Sequence, residues 1–288
     1  MRAWPCGTQW IQNNEHSAFV KILSLNCQKG HQPGFGSFLR RLVLEETYDL
    51  VLLQEVAPDT ILALQGNAGS YALIAPQNEI TGTLAQTIIL YRATFIRESS
   101  WFFPAGNFMG RIPRKEYGMV LGKFRTPGTT APLWAASLHT HSGPRYWIRE
   151  KEVRYFKEKI VDLWQEEGTV ILGGDFNSGY PWEAGRHQDI LSPDFVEVTK
   201  GIRHTCDSKY LERSNIRTAA LSYAGMAGVN FHLAADHLFM DASSAAEAAV
   251  HWRLLEERVS DHVPLEASFN EASLLKQEYV YNDKSRNE

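Results

Sequence analysis

Six places in the chain put a residue able to bind a hard metal ion or move a proton directly after a run of apolar, strand-forming residues. Leu23-Ser24-Leu25 leads into Asn26, and Val51-Leu52-Leu53-Gln54 into Glu55. Leu133 to Leu138 leads into His139, and Val170-Ile171-Leu172-Gly173-Gly174 into Asp175-Phe176-Asn177. Leu233-Ala234-Ala235 leads to Asp236, and Val259-Ser260 to Asp261-His262. Each has an ordinary reading when taken alone. Asn26 suits a turn, since Asn tolerates left-handed backbone geometry. Glu55 suits a helix start before Pro58, His139 a locally satisfied strand end, Asp175 and Asn177 a Gly-rich turn, and Asp261 a cap. Their joint occurrence changes the reading. If adjacent strands end on the same edge of a sheet, the groups converge, and hard oxygen donors in small number suit Mg²⁺ or Mn²⁺, which retain waters and share phosphate oxygens.

The elements that must position these residues are legible as short runs rich in Val, Ile, Leu and aromatics, bounded by Gly, Pro, Asn or Asp. Strands are expected at Phe19 to Leu25, Asp49 to Leu53, Tyr71 to Ala75, Thr87 to Tyr91, Gly118 to Phe124, Leu133 to Leu138 and Thr169 to Leu172. Three more are expected at Leu233 to Met240, Val250 to Leu254 and Pro264 to Phe269. Phe35, Phe38, Leu39 and Leu42 mark one helix ending near Glu46. Val153, Phe156, Ile160, Leu163 and Trp164 mark the buried stripe of a longer one starting near Pro144, and a short helix follows Pro58-Asp59. Many strands with a few interspersed helices predict one α/β domain over residues 18–270, built on two packed sheets. Polar tails are expected at residues 1–17 and 271–288. No internal repeat or Pro/Ser-rich linker divides the chain.

The chain of 288 residues is 44% hydrophobic and 22% charged, enough apolar material for a sizeable core. Its 29 Lys+Arg against 33 Asp+Glu give a formal charge of −4, which excludes a polybasic protein that coats nucleic acid non-specifically. An anionic substrate must therefore meet a local positive patch or a bound metal. No run approaches the ~18–20 apolar residues of a membrane span, and the polar stretch from Met1 to Ser17 is unlike a signal peptide. Cys6, Cys27 and Cys206 are odd in number and widely spaced, which points to a reducing cytoplasm rather than a disulfide framework.

The strand-end set resembles the endonuclease/exonuclease/phosphatase superfamily of metal-dependent phosphoesterases. The resemblance rests on Leu23-Ser24-Leu25-Asn26, Leu53-Gln54-Glu55-Val56, Ser137-Leu138-His139, Gly174-Asp175-Phe176-Asn177, Asp236-His237-Leu238-Phe239 and Ser260-Asp261-His262-Val263-Pro264. These stand in the family's order from Val20 to Phe269. The resemblance implies a four-layer α/β sandwich, two packed and mainly antiparallel sheets flanked by helices. It also implies roles. Glu55, helped by Asn26 and completed by Asp261, would hold Mg²⁺ or Mn²⁺. Asp175 would orient or deprotonate the attacking water, and Asn177 would position water and phosphate. His262, its other ring nitrogen held by Asp236, would contact a non-bridging oxygen or transfer a proton. His139 would bind the phosphate and stabilise or protonate the leaving group. Such a set meets the needs of phosphoryl transfer, which are in-line placement and charge neutralisation more than covalent chemistry.

Departures narrow the branch. Abasic-site endonucleases of the superfamily usually carry Asn where His139 stands, and an Asp where this chain has Gln28. The pattern is closest to 5′-tyrosyl-DNA phosphodiesterase-like and deoxyribonuclease-like members, the former also suggested by Thr205-Cys206-Asp207 before the last motifs. Sphingomyelinases and inositol-polyphosphate phosphatases share the His139 pattern. The implied activity is hydrolysis of phosphodiester bonds in nucleic acid or a nucleic-acid adduct. The alternatives are a phosphoinositide- or sphingomyelin-type enzyme and a catalytically inactive binding module. No stable protein partner is implied. Arg145 and Arg149 after His139 could grip a phosphate backbone, as could Arg111, Arg114 and Lys115, although charges on a helix also serve as solvated ion pairs. Tyr180 and Trp182, close behind Asn177, and Trp147, after His139, could stack on bases or simply pack against Pro181 or Pro144.

Overall fold

The structure, a computed structural model, describes residues 19–30, 32, 34–45, 48–76, 85–105, 118–142, 146–178, 181–202, 205–207, 232–256 and 259–270. The chain begins with β1 (Phe19–Asn26), a 3₁₀ turn (Gln28–Gly30), α1 (Phe35–Glu45), β2 (Leu50–Val56), α2 (Pro58–Asn67), β3 (Tyr71–Ile74), β4 (Gln86–Arg92) and β5 (Ile96–Pro104). It continues with β6 (Gly118–Arg125), β7 (Leu133–His139), α3 (Tyr146–Trp164), β8 (Thr169–Asp175), α4 (Pro181–Leu191) and β9 (Phe195–Glu197). The last elements are β10 (Cys206–Asp207), β11 (His232–Leu233), β12 (Asp236–Asp241), α5 (Ala242–Glu247), β13 (Val250–Leu254) and β14 (Leu265–Asn270).

Two six-stranded sheets result, in the orders β13-β14-β1-β2-β4-β3 and β5-β6-β7-β8-β12-β9. Each has one parallel pair near its centre, β1 with β2 and β7 with β8, and is otherwise antiparallel. A parallel strand pair needs a crossover, and α1 and α3 supply it. The expected sandwich is therefore the fold observed.

Side-chain alternation sorts the strands into layers. In β2, Leu50 and Leu52 enter the core between the sheets, while Val51 and Leu53 pack outward with Phe35, Phe38, Leu39 and Leu42 of α1 and Ile61 and Leu64 of α2. In the second sheet Leu133, Ala135, Ile171, Leu238 and Met240 face the first sheet. Trp134, Ala136, Val170 and Leu172 face outward against Val153, Phe156, Ile160 and Trp164 of α3. The apolar stripe expected for the long helix is this contact.

Several elements differ from the expectation, among them the short β9, β10 and α5, which have no counterpart in the expected set. β5 was not foreseen, because it is an edge strand with a largely or partly exposed sequence, Ile96-Arg97-Glu98-Ser99-Ser100. α4 was not foreseen, because Gly185 and polar residues interrupt any apolar stripe. The single strand expected from Leu233 to Met240 is split into β11 and β12. Thr205 Oγ1 accepts from the backbone N–H of both Ala235 and Asp236, which turns the chain from a two-stranded β10–β11 ribbon into the second six-stranded sheet. The start expected near Pro144, the end near Glu46, both tails and Arg111, Arg114, Lys115, Arg145 and Tyr180 lie outside the described residues.

Candidate active site at one rim of the sandwich

The inward phase of four strands carries the apolar core upward into a polar rim. Along β1 the inner positions run Ile22, Ser24, Asn26, and along β7 they run Leu133, Ala135, Ser137, His139. Along β8 they run Ile171, Gly173, Asp175, and along β12, read backwards, Met240, Leu238, Asp236. Register places His139 and Asp236 on either side of Asp175 in adjacent strands. Just beneath, Gln54 Nε2 donates to Ser137 Oγ at 2.9 Å, bridging the two sheets.

Glu55 would follow the wrong phase in a regular strand. It adopts a left-handed conformation with φ 50° at a register shift between Leu53 and Val56, a bulge that re-aims its side chain. Its Oε1 accepts from Asn26 Nδ2 at 3.3 Å and lies 3.6 Å from His139 Nε2. The same Asn26 amide donates to Asp175 Oδ2 at 2.8 Å, so one side chain from the first sheet ties carboxylates of both sheets.

Asp175 is held on every side. Its Oδ1 accepts from the backbone N–H of Asn177 at 2.7 Å, in a turn where Asn177 has φ 51°. Asn177 Nδ2 donates in turn to the carbonyl of Thr140 at 2.9 Å. Asp175 Oδ2 stands 3.5 Å from His139 Nε2 and 3.8 Å from His262 Nε2. Gly174 makes this approach possible. At φ 142° a side chain would be strained, and a Cβ there would lie 2.0 Å from the Leu138 carbonyl oxygen.

His262 pairs through Nδ1 with Asp236 Oδ2 at 2.7 Å, and its Nε2 faces Asp175 and, at 4.0 Å, Asp261 Oδ1. Burial alone would lower the imidazole pKa. The field of Asp236 above all, with Cys206, Asp175 and Asp261, raises it well above the ordinary value instead. Burial pushes the Asp261 carboxyl up to about 6, opposed by His262 and reinforced by Glu55 and Asp175. Thr205 holds this corner together, for its carbonyl accepts from Val263 N at 2.7 Å while its hydroxyl accepts from Ala235 and Asp236. Its place in a T-x-D element is only suggestive in sequence, and its hydrogen bonds to three separate backbone groups are a tertiary feature.

The rim thus brings together Asn26, Glu55, His139, Asp175, Asn177, Asp236, Asp261 and His262. Arg149 is not among them in the same sense. It is buried at 3% exposure within α3, where its charge acts on Glu152 and on His187 of α4. Trp182 lies in the first turn of α4, and Tyr146 and Trp147 at the start of α3 are partly exposed, with Arg186 over the Tyr146 ring and Lys151 over that of Trp147. His237 points away from the rim, bound through Nδ1 to Glu197 at 2.7 Å and through Nε2 to the Ala234 carbonyl.

A divalent cation fits this chemistry. Four carboxyl groups crowd a small volume with two imidazoles, and their mutual field already shows in Asp261. Asp236 Oδ1 is buried without a hydrogen-bond partner among the described residues. Glu55 remains a quarter exposed, open to solvent and to a hydrated ion. Ligand atoms of Asp175, Asp236 and His262 lie within 4.8 Å of one another.

This sandwich is the fold of hydrolases that act on phosphoester bonds. The chain belongs to the Endonuclease/Exonuclease/phosphatase family, whose sequence profile matches residues 23–262. Among solved structures it is similar to TDP2 of D. rerio complexed with a single-strand DNA product, at 20% identity and TM-score 0.66, covering 88% of this chain and 99% of that one. It is similar to truncated TDP2 of Caenorhabditis elegans at 16% identity and TM-score 0.64, covering 88% and 98%. It is also similar to a mannosyl-6-phosphatase of Bacteroides thetaiotaomicron at 14% identity and TM-score 0.64, covering 87% and 99%. At these identities the likeness is one of fold. No curated protein matches the chain by sequence. No described helix is long and apolar enough to cross a membrane.

Proposed function

We propose that the chain hydrolyses phosphodiester bonds in nucleic acid or a nucleic-acid adduct, with Mg²⁺ or Mn²⁺ as cofactor, in the cytoplasm. The observation that carries the hydrolytic reading is the bonded rim in which Asn26 joins Glu55 to Asp175 while His262, backed by Asp236, faces the same Asp175. The nucleic-acid reading draws support from the D. rerio neighbour, whose structure holds a single-strand DNA product.

In this reading Glu55, Asn26 and Asp261 would hold the divalent ion, which would supply charge neutralisation at phosphate oxygens. Asp175 orients the attacking water and accepts its proton as the new P–O bond forms and the P–O bond to the leaving group breaks. Asn177 fixes the direction of attack. His262 steadies a non-bridging oxygen, with Asp236 holding the ring's orientation through Nδ1. His139, within 3.6 Å of both Glu55 and Asp175, binds the phosphate on the leaving-group side. Trp182, Tyr180 and Arg145 are proposed from the sequence as contacts for the rest of the substrate. Arg149, being buried, acts through its neighbours.

Hydrolysis of bis(4-nitrophenyl) phosphate with Mg²⁺ tests the mechanism. Glu55→Gln and Asp175→Asn should each lower kcat by roughly 10²–10³-fold with the fold intact, and EDTA should abolish turnover. Undiminished activity in either variant, or in EDTA, overturns it. A phosphomonoester is the second reading, favoured by the Bacteroides mannosyl-6-phosphatase of the same fold. Turnover of a single-stranded oligonucleotide against mannose 6-phosphate and phosphoinositide vesicles separates the two.

A further inference from the structure

Behind the rim, away from the reacting groups, α3 buries a carboxyl whose only apparent task in the sequence is to decorate a charged helix. Glu152 is 2% exposed, and its Oε2 accepts from the backbone N–H of His141 at 2.7 Å. That N–H belongs to the same peptide group as the Thr140 carbonyl, which accepts from Asn177 Nδ2 at 2.9 Å. A peptide group is planar, so its N–H and C=O point in fixed opposite directions. Glu152 and Asn177 therefore grip opposite ends of one rigid plate. Donation from the N–H to a carboxyl polarises the plate and strengthens its carbonyl as an acceptor. The adjacent Thr140 N–H donates to the Asp175 carbonyl at 3.0 Å, which fixes the plate's hinge to β8.

From this geometry we infer that Glu152 is a positioning residue for the hydrolytic site, setting the orientation of the Asn177 amide through the Thr140–His141 peptide. With Nδ2 committed to Thr140, the Asn177 side chain keeps Oδ1 as its acceptor, and rotation of the plate would release it. A buried acid kept only for stability would be poorly chosen, since an apolar residue of similar size is commonly as stable or more so. Burial, opposed by the His141 N–H and by Arg149 one turn earlier, lifts this carboxyl to about 7, the mark of a group held where solvation does not favour it.

The inference rests on the hydrolytic reading, and the test separates the two. In the full chain, Glu152→Gln keeps an acceptor at the same reach and should retain kcat within about threefold. Glu152→Asp withdraws the acceptor by one methylene, and Glu152→Leu removes it. Each should lower kcat ~10–100-fold on bis(4-nitrophenyl) phosphate with KM within twofold, because misorientation by about 1 Å costs rate rather than binding. The Asn177 side-chain amide resonances, assigned by NMR, should shift in the Asp and Leu variants and stay in place in the Gln variant. Asp retaining full kcat with unmoved resonances, or Gln losing as much as Asp, overturns the role of Glu152. If the wild-type chain hydrolyses nothing, the functional reading fails, and the amide resonances alone decide the coupling.

Discussion

At the scale of single residues, Thr205 carries more than its type suggests. Its hydroxyl is the acceptor for two consecutive buried backbone N–H groups, those of Ala235 and Asp236. Thr205→Val keeps the shape and removes the acceptor, stranding both donors. At ~1–3 kcal/mol for a buried unsatisfied group, unfolding in urea should show a loss of a few kcal/mol, with turnover falling further because Asp236 loses its anchor. A midpoint within error of wild type would show that the donors find other acceptors. Residues of the rim were legible because polar groups capping apolar strands break the ordinary pattern, as with Asn26, Asp175 and His262. Glu152 was not, because Glu150, Lys151, Glu152 and Arg154 look like a solvated run of helix ion pairs. The structure buries that position and gives its carboxyl the His141 N–H as a donor, a contact between segments that the local pattern does not carry.

At the scale of elements, α3 and α4 bury a pair of titratable groups whose effects on stability oppose one another. Glu152 is lifted from 4.5 to about 7 by burial. His187 of α4, bonded to Ser178 Oγ through Nδ1 at 2.9 Å, is depressed from 6.5 to about 3 by burial and by the fields of His237 and Arg149. Among the described residues, Arg149 of α3 acts on both groups, and His237 of β12, itself bonded to Glu197 of β9, acts on His187. Between pH 4.5 and 6.5 the native chain holds the Glu152 proton and not the His187 proton, while the unfolded chain holds the reverse. The two folding contributions then bind equal numbers of protons, and their slopes cancel. Glu152→Gln removes the falling limb and leaves His187 alone, whose unfolded form binds the extra proton. Its stability relative to wild type should therefore rise as pH goes from 4.5 to 6.5, by about 1.4 kcal/mol per pH unit at most. A flat difference in unfolding free energy across that window counts against the buried pair. The helix bearing His187 was not legible at all, because Gly185 and His187 interrupt the apolar phase that marked α3. The edge strand β5 escaped for a related reason, since exposure on its face leaves no two-residue alternation to read.

At the scale of the whole molecule, the two-sheet architecture followed from the number and brevity of the apolar runs, and the order of the motifs placed them on one rim. How closely the sheets approach was not in the pattern. Gly173 sits on the inner face of β8 where a Cβ would meet Leu238 Cδ2 at 2.2 Å and, across the sandwich, Leu52 Cδ1 at 2.8 Å. Filling that point with Ala overpacks the seam, at a cost of ~1–3 kcal/mol. It would also wedge apart the bodies that carry Asn26 and Glu55 on one side and His139, Asp175 and Asp236 on the other. On the proposed function, competence is thus a matter of alignment between two slabs, each carrying part of the rim. A Gly173→Ala chain should melt cooperatively yet turn over slowly, and selection for restored turnover should return trimmed side chains at Leu52 or Leu238, sites that touch no reacting atom. Revertants confined to the polar rim would mean that the slabs tolerate the wedge and that the gap between them is no gauge of function.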